Sequence, residues 1–221
     1  MRVAVIGGTG TQGSALAARF ARAGVAVIIG SRDAARAESA AAQLAQRAQA
    51  GFDDVRGMSN RDAASNADII VLSVPYAGTQ AILEDIREAA QHKIVMNIAS
   101  SLDPERKSRA RVPTAGSITA EVQAFLGESV KVVAAFQNIA PQKLEPPTAA
   151  IDSDVLVCGA DRETRRTIIE LIQRMGLNAV DAGVLANAVA VETLTAVLIA
   201  INLRYKITGA GIRITGLPAA G

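Results

Sequence analysis

The chain has very few of the residues that usually carry acid–base, nucleophilic or metal chemistry. Its 221 residues include one cysteine, Cys158, one histidine, His92, and no tryptophan. A single cysteine excludes an intrachain disulfide, and one cysteine with one histidine argues against the usual zinc ligands, so we predict no metal site. No Ser-His-Asp arrangement, Cys-His pair or carboxylate pair occurs at a useful spacing. The chain is therefore poorly equipped for general acid–base catalysis.

The chain also has little net charge, and its apolar runs are short. The formal net charge is +2 and no basic run occurs, so we expect no nucleic-acid partner. The longest apolar run, residues 196–201, is far shorter than a membrane span. The N-terminus opens directly into a predicted strand, from which we expect no signal peptide. Together with the lone cysteine, these features favour a cytoplasmic protein without a membrane partner.

The hydrophobic residues that are present indicate a sheet buried on both faces. Half of the chain is hydrophobic but only 3% is aromatic, so the core must consist of Val, Ile, Leu and Ala. This composition suits a parallel sheet covered by helices, and the length suits one domain or one domain with a small appendage. We predict an α/β, Rossmann-type, doubly wound and mostly parallel sheet over residues 1–150, with a small C-terminal helical extension over 151–221.

Hydrophobic patterning and turn residues place the elements along the chain. Asn60 and Ser117 are predicted helix caps, and residues 99–116 form the least regular segment. The predicted helices cover residues 14–23, 34–49, 60–66, 79–91, 117–126, 162–175 and 185–206. The predicted strands cover residues 1–6, 25–32, 52–58, 67–75, 93–98, 130–136, 154–158 and 177–180. We expect the glycine-rich tail from Thr208 to lie over the body of the domain.

A glycine turn follows the first predicted strand. Gly8, Gly10 and Gly13 fit the G-x-G-x-x-G pattern between a strand and a helix. In this pattern the first glycine permits the tight turn, the second lets the backbone approach a pyrophosphate, and the third lets the helix pack closely. The helix N-terminus then offers free N–H groups and a partial positive charge to the phosphates. The motif predicts a dinucleotide site.

The end of the second strand indicates which dinucleotide is bound. NAD sites usually carry an acidic residue about 20 residues beyond the glycines, where it holds the ribose 2′-hydroxyl. Here that place is occupied by Ser31 and Arg32, with Arg36 one helical turn further on. A guanidinium pairs with a 2′-phosphate, whereas a carboxylate would repel it. We therefore predict NADP(H); the alternative is that Arg32 is a solvated residue on a surface turn.

The remaining chemistry is expected where other strands end. The segment Val74-Pro75-Tyr76, at the carboxyl end of an apolar strand, should point at the cofactor, because ligands of doubly wound sheets bind beyond the carboxyl ends of the strands. The 99–116 segment carries four basic residues between 106 and 111. It is either a mobile solvated loop or a flap that contacts an anionic second substrate.

The candidate acid–base residues are expected to be structural. His92 precedes a strand, on the side away from the predicted site, and Cys158 lies in a core strand as a buried thiol. For Asp181 and Glu192 we expect helix capping or helix–helix contacts. No Tyr-x-x-x-Lys pair is present to donate a proton to a carbonyl. Hydride transfer between two bound cofactors fits better, since it depends mainly on proximity and ring alignment.

These residues give the chain a resemblance to the NADPH-dependent coenzyme F-420 (8-hydroxy-5-deazaflavin) reductases over nearly its whole length. The shared segments are residues 3–13, 30–32, 67–75, 157–161, 177–183 and 192–195. Gln137 stands where some members of the family have His, and Ala140-Pro141 differs from the usual Ile-Pro. The resemblance implies hydride transfer between NADP(H) and a deazaflavin of the F-420 type.

The resemblance also implies roles for individual residues. Residues 9–12 would hold the pyrophosphate, and Ser31, Arg32 and Arg36 would hold the 2′-phosphate. Val74, Ser100 and Ala140 would line the nicotinamide, and the two rings would meet beside residues 137–140. The C-terminal extension would cover the nicotinamide and join a homodimer. The full predicted cofactor-binding set is Gly8, Thr9, Gly10, Thr11, Gln12, Gly13, Ser31, Arg32, Arg36, Val74, Pro75, Ser100, Gln137, Ile139 and Ala140, with no catalytic side chain.

Two other functions stay open at this point. The same scaffold suits an NADPH-dependent reductase of a flavin, another heterocycle or a metal complex. It also suits a non-catalytic NADP(H)-sensing protein, because a fold does not by itself fix a function.

Overall fold

A computed structural model of the protein describes residues 1–47 and 54–217. Strands and helices alternate along most of this chain. The strands are β1 Arg2–Ile6, β2 Ala26–Ser31, β3 Val55–Ser59, β4 Ile69–Leu72, β5 Ile94–Asn97, β6 Lys131–Ala134, β7 Val155–Gly159 and β8 Ala179–Gly183. The helices are α1 Thr11–Arg22, α2 Ala34–Arg47, α3 Asn60–Ser65, α4 Tyr76–Ile86, α5 Ile118–Leu126, α6 Arg162–Arg174 and α7 Ala188–Tyr205. Short 3-10 turns lie at Pro141–Leu144 and Leu185–Asn187.

The strands form one eight-stranded sheet in the order β3-β2-β1-β4-β5-β6-β7-β8. All neighbouring pairs are parallel except β6 and β7, which are antiparallel. The chain winds outward from β1 in one direction to β3 and then returns to β4 on the other side. The crevice between the carboxyl ends of β1 and β4 is thus the topological switch point, where ligands bind in this class of sheet. The predicted doubly wound, mostly parallel sheet is confirmed.

The core lies on both faces of the sheet. One face packs against α1, α2 and α6, and the other packs against α3, α4 and α5. Most buried side chains of the sheet are Val, Ile and Ala, and within residues 1–47 and 54–217 only two phenylalanines, Phe20 and Phe136, are fully buried. Small aliphatic side chains fill both layers, as the composition predicted.

Several predicted element boundaries differ from the structure. The fourth helix begins at Tyr76 rather than 79, because Pro75 serves as its N-cap, and it ends at Ile86 rather than 91. The last strand is Ala179–Gly183, so residues predicted to follow it lie within it. The cap of α3 is Ser59, whose Oγ accepts from the Asp62 N–H, and Asn60 is the first helical residue. The predicted helix end at 48–49 and strand start at 52–53 fall outside the described residues.

The C-terminal part contributes to the sheet as well as to the helices. Strands β7 and β8 extend the sheet beyond β6, and α7 crosses the carboxyl ends of β5 and β6. The tail packs against the body, as expected: the Ile214 N–H donates to Asp154 Oδ2 over 2.6 Å, and the Ala210 N–H donates to Asn202 Oδ1 over 2.9 Å. The division of the chain at residue 150 stays a prediction.

Candidate functional site

The glycine turn brings backbone very close to the end of β4. Gly7 has φ 74°, and a Cβ there would stand 2.7 Å from the Ser73 carbonyl oxygen. Gly13 packs α1 against the turn, because a Cβ there would lie 2.9 Å from Gly8 Cα. Gly8 also has no room for a side chain, because a Cβ there would stand 2.7 Å from the Val5 carbonyl oxygen. The N-cap of α1, Gly10, makes no side-chain cap, so the helix N-terminus can offer its N–H groups to a ligand.

A cavity of about 240 Å³ opens beside the ends of β2 and β4, and we call it the basic cavity. Ser31, Arg32 and Arg36 provide its polar side. The neighbouring carboxylate of Asp33 is directed elsewhere, since its Oδ1 accepts from the Ala35 N–H over 3.0 Å at the start of α2. The residues that line the basic cavity are Gly7, Thr9, Ser31, Arg32, Arg36, Asn60, Val74, Pro75, Gly78, Ala81 and Ile82. Two cations and a hydroxyl face this cavity, which suits an anionic group such as a phosphate.

A second cavity of about 580 Å³, the large cavity, lies on the other side of the same loop. It shares Val74 and Pro75 with the basic cavity. Its wall combines the glycine turn, the segments after β4, β5 and β6, and one face of α7. Nine predicted residues lie in this wall: Gly10, Thr11, Gln12, Val74, Pro75, Ser100, Gln137, Ile139 and Ala140.

A chain of hydrogen bonds fixes three of these segments to one another. Gln137 Nε2 donates to the Asn97 carbonyl over 2.8 Å, and Thr195 Oγ1 donates to the Gln137 carbonyl over 2.8 Å. Ser100 Oγ lies 2.7 Å from Thr195 Oγ1 and supplies the proton of that bond, because the Thr195 proton is already used. Thr195 thereby ties α7 to the loops after β5 and β6.

Backbone strain coincides with this network. Phe136, directly before Gln137, has φ 72°, which is rare for a bulky side chain. Such strain persists only where the surroundings hold it, and it is concentrated at functional sites. The strained backbone at Phe136 turns the segment that begins at Gln137 into the wall of the large cavity.

Three buried polar atoms at the cavities have no hydrogen-bond partner among the described residues. They are Asn60 Oδ1 in the wall of the basic cavity, and Gln137 Oε1 and Asn138 Oδ1 in that of the large cavity. Buried polar groups are normally satisfied, so unpartnered ones at a cavity indicate a ligand. The fourth such atom, Ser101 Oγ, belongs to the residue after Ser100.

Few titratable groups reach the large cavity. Tyr76 lies in its wall and donates its hydroxyl to Glu121 Oε2 over 2.8 Å; this hydrogen bond, with burial, raises the pKa of Tyr76. Glu192 is buried on α7 and accepts from the Ile118 and Thr119 N–H groups, so it caps α5 from another helix as expected. Burial raises its pKa.

The other candidate groups have structural surroundings. Asp181 pairs with Arg165 over 2.7 Å. Cys158 is fully buried in β7, and burial raises the pKa of its thiol to about 12, so it is no nucleophile. His92 precedes β5 and lines neither cavity.

The 99–116 segment is irregular, as predicted, and part of it borders the large cavity. A single bridge joins Leu102 to Ala110, and Asp103 Oδ1 accepts from the Glu105 and Arg106 N–H groups. Lys107 lies in the cavity wall. One exposed basic side chain of the segment thus stands at the rim of the cavity.

Thirteen of the fifteen predicted residues line the two cavities. Gly8 and Gly13 line neither cavity and instead allow close packing at the turn. Sequence reasoning missed other wall residues. Some of them could have been found in the sequence, because they are polar residues that follow a strand end or interrupt an apolar helix. Wall residues to which the sequence assigned no role at the site include Asn60, Thr195, Leu198, Ile199, Asn202 and Ala210.

The glycine turn, the switch-point cavities and the basic residues after β2 define a Rossmann-type oxidoreductase that uses NADP(H). Comparisons with known proteins give the family. Residues 2–101 match the family model described as NADP oxidoreductase, coenzyme F420-dependent. The F420-dependent NADP reductase of Methanocaldococcus jannaschii is 40% identical over 98% of this chain and 99% of its own length. That of Methanothermobacter thermautotrophicus is 40% identical over 99% of this chain and 96% of its own.

A solved structure agrees with the sequence comparisons. A crystal structure from Arthrobacter sp., of a protein assigned to the F420-dependent NADP-reductases, has a TM-score of 0.82 and 25% identity. The match covers 97% of this chain and 99% of that one. The chain belongs to the F420-dependent NADP reductase family, and the resemblance seen in the sequence is confirmed.

Proposed function

We propose that this protein transfers a hydride between NADP(H) and coenzyme F420. The observation that carries the proposal is the pair of cavities that share Val74 and Pro75 at the switch point. One cavity is basic and small, and the other is large enough to take two flat rings together. The family relatives, at 40% identity over nearly the full chain, are named for this pair of substrates.

The NADP half of the proposal rests on the turn and the basic cavity. Residues 9–12 would hold the pyrophosphate against the open N-terminus of α1. Ser31, Arg32 and Arg36 would bind the 2′-phosphate, and Val74, Ser100 and Ala140 would hold the nicotinamide. When bound, NADPH supplies the hydride. The side chains of this chain would position the two rings and exclude water from the point of transfer. Besides the hydride at carbon, the acceptor takes up one proton at a ring nitrogen, and this proton comes from solvent at the cavity rim rather than from a side chain.

The acceptor half rests on the wall opposite Val74. Gln137 and Ile139 would lie where the two rings meet, and residues 198–202 of α7 would close the far side of the cavity. Lys107 and the basic residues near it would contact an anionic part of the acceptor. Under this proposal Lys107→Glu should raise the KM for F420 several-fold and leave that for NADPH unchanged. Equal KM values for F420 in both proteins would refute this role.

A turnover assay separates this function from the two alternatives. The purified protein is given NADPH with F420, with FMN or with a ferric chelate, and the absorbance of each acceptor is followed. We expect turnover with F420 at least tenfold faster than with the others. Preference for FMN or the chelate would establish the alternative reductase. Tight NADPH binding without turnover of any acceptor would establish a sensor.

We infer further that the protein is a homodimer joined through α7. Leu185–Tyr205 is long and apolar enough to cross a membrane by length and composition, and 28% of that window is buried. Leu203 is 69% exposed, and Val197 and Tyr205 are also exposed. Because Glu192 and Thr195 bind this helix to the catalytic body, a second copy suits the apolar face better than lipid does.

Light scattering after size exclusion tests the dimer. We expect a dimer for the natural protein and a monomer for Leu203→Lys, and a monomeric natural protein would refute the inference. We also propose that the protein is cytoplasmic and has no nucleic-acid or membrane partner. Recovery of the protein in the membrane fraction of lysed cells would contradict that placement.

A further inference from the structure

Asn60 is a buried polar residue in the wall of the basic cavity. It is 2% exposed and lies in the cavity wall, and its side-chain oxygen Oδ1 has no hydrogen-bond partner among the described residues. It is not needed to cap α3, because Ser59 does so. A Cβ at position 30 would stand 3.1 Å from Asn60 Oδ1, so Gly30 makes room for the amide at the end of β2. A buried amide oxygen without a partner costs stability, which favours a role toward a ligand.

The two sides of the basic cavity differ in chemistry. Ser31, Arg32 and Arg36 supply donors on one side, and these suffice for a phosphate. The other side is apolar, with Val74, Pro75, Ala81 and Ile82. A phosphate accepts hydrogen bonds only, so it would leave the amide oxygen of Asn60 without a donor. A flat heterocycle that carries both a donor and an acceptor would satisfy the amide and cover the apolar side.

We propose that Asn60 recognises the adenine base of NADP(H) through its side-chain amide. The inference rests on the proposed function, in that NADP(H) must occupy the basic cavity. Adenine carries a donor at its 6-amino group next to an acceptor at N7, and an asparagine amide pairs with both at once. The final torsion of asparagine has a broad minimum, so the amide can turn toward the base. The apolar residues pack against the ring face.

The test uses the 6-oxo analogue of NADPH, in which hypoxanthine replaces adenine. This change puts an acceptor where Asn60 Oδ1 needs a donor and alters neither the phosphates nor the nicotinamide. Dissociation constants are measured by titrating the fluorescence of either reduced dinucleotide. We expect the natural protein to bind NADPH about tenfold more tightly than the analogue. Asn60→Ala and Asn60→Leu should reduce this preference to less than twofold.

The matched control is Asn66→Ala at the exposed end of the same helix, which should keep the tenfold preference. Asn60→Leu retains the size of the side chain, so at least one variant keeps the local packing. Equal binding of both dinucleotides by the natural protein, or an unchanged preference in both Asn60 variants, would overturn the inference and leave the proposed function intact. Failure of the natural protein to bind NADPH would overturn both.

Discussion

At the scale of single residues, the cofactor preference depends on how neighbouring charges are directed. Arg32 faces the basic cavity, while the next residue, Asp33, turns its carboxylate to the first N–H groups of α2. The acid is thereby removed from the phosphate site and used in a helix cap. The position of Ser31 and Arg32 at the end of β2 could be predicted, because a charge pattern at a strand end can be read locally; their role in binding stays a prediction.

Arg32→Asp should weaken NADPH binding strongly. The substitution replaces an attraction to the 2′-phosphate by a repulsion, and we expect a loss of about 2–4 kcal/mol in binding free energy. NADH, which lacks that phosphate, should be affected much less. Fluorescence titration of both dinucleotides measures the effect, with Arg22→Asp on the exposed side of α1 as the control. Unchanged NADPH affinity would make Arg32 a surface residue without a binding role.

Other residues at this scale could not be predicted. Asn60 is typical of a helix cap at the start of a polar helix, and only the folded chain, in which Ser59 Oγ accepts from the Asp62 N–H, shows that Ser59 is the cap. The partners of Thr195 lie 58 and 95 residues away, so no local pattern indicates them.

At the scale of elements, a buried arginine connects α1 to the wall of the large cavity. Arg19 is 2% exposed and donates to the carbonyl oxygens of Lys143, Leu144, Pro146 and Ala149. The nearest of these bonds, from Nε to the Leu144 carbonyl, is 2.8 Å long. These residues follow Pro141 and Gln142, which line the cavity. The helix that starts at the glycine turn therefore also holds the segment beside the acceptor.

Arg19→Met should destabilise the protein, because the buried Leu144 carbonyl and the half-buried Lys143 and Ala149 carbonyls lose the donor that Arg19 provides. We expect the free energy of unfolding to fall by roughly 2–4 kcal/mol, measured by urea denaturation. Arg22→Met, one turn further along α1 and exposed, is the matched control and should change stability by less than about 0.5 kcal/mol. A loss in Arg19→Met no larger than in the control would contradict the role assigned to these bonds.

The existence and type of the elements were more predictable than their ends. Apolar runs such as residues 69–72 mark buried strands regardless of context. The start of α4 was predicted too late, because Val74-Pro75-Tyr76 was assigned to the strand end, although proline can stand directly before a helix. The antiparallel pairing of β6 with β7 depends on contacts between distant segments, which the local sequence does not contain.

At the scale of the whole molecule, the sheet order decides where chemistry occurs. The reversal at β1 places the glycine turn beside the loop after β4, and α7 covers the ends of β5 and β6. The dinucleotide half could be predicted because one continuous stretch forms most of it. The large cavity combines five separate segments, so its shape follows only from the folded chain. We expect this cavity to hold both rings close enough for direct hydride transfer.

Isotope transfer tests that claim most directly. NADPH is prepared with deuterium on one or the other face of C4 and reacted with oxidised F420 in ordinary water. We predict that one of the two labelled compounds delivers its deuterium to C5 of the reduced deazaflavin, without loss to the solvent. If reduced F420 carries no deuterium from either compound, the hydride does not pass directly between the rings and the account is wrong.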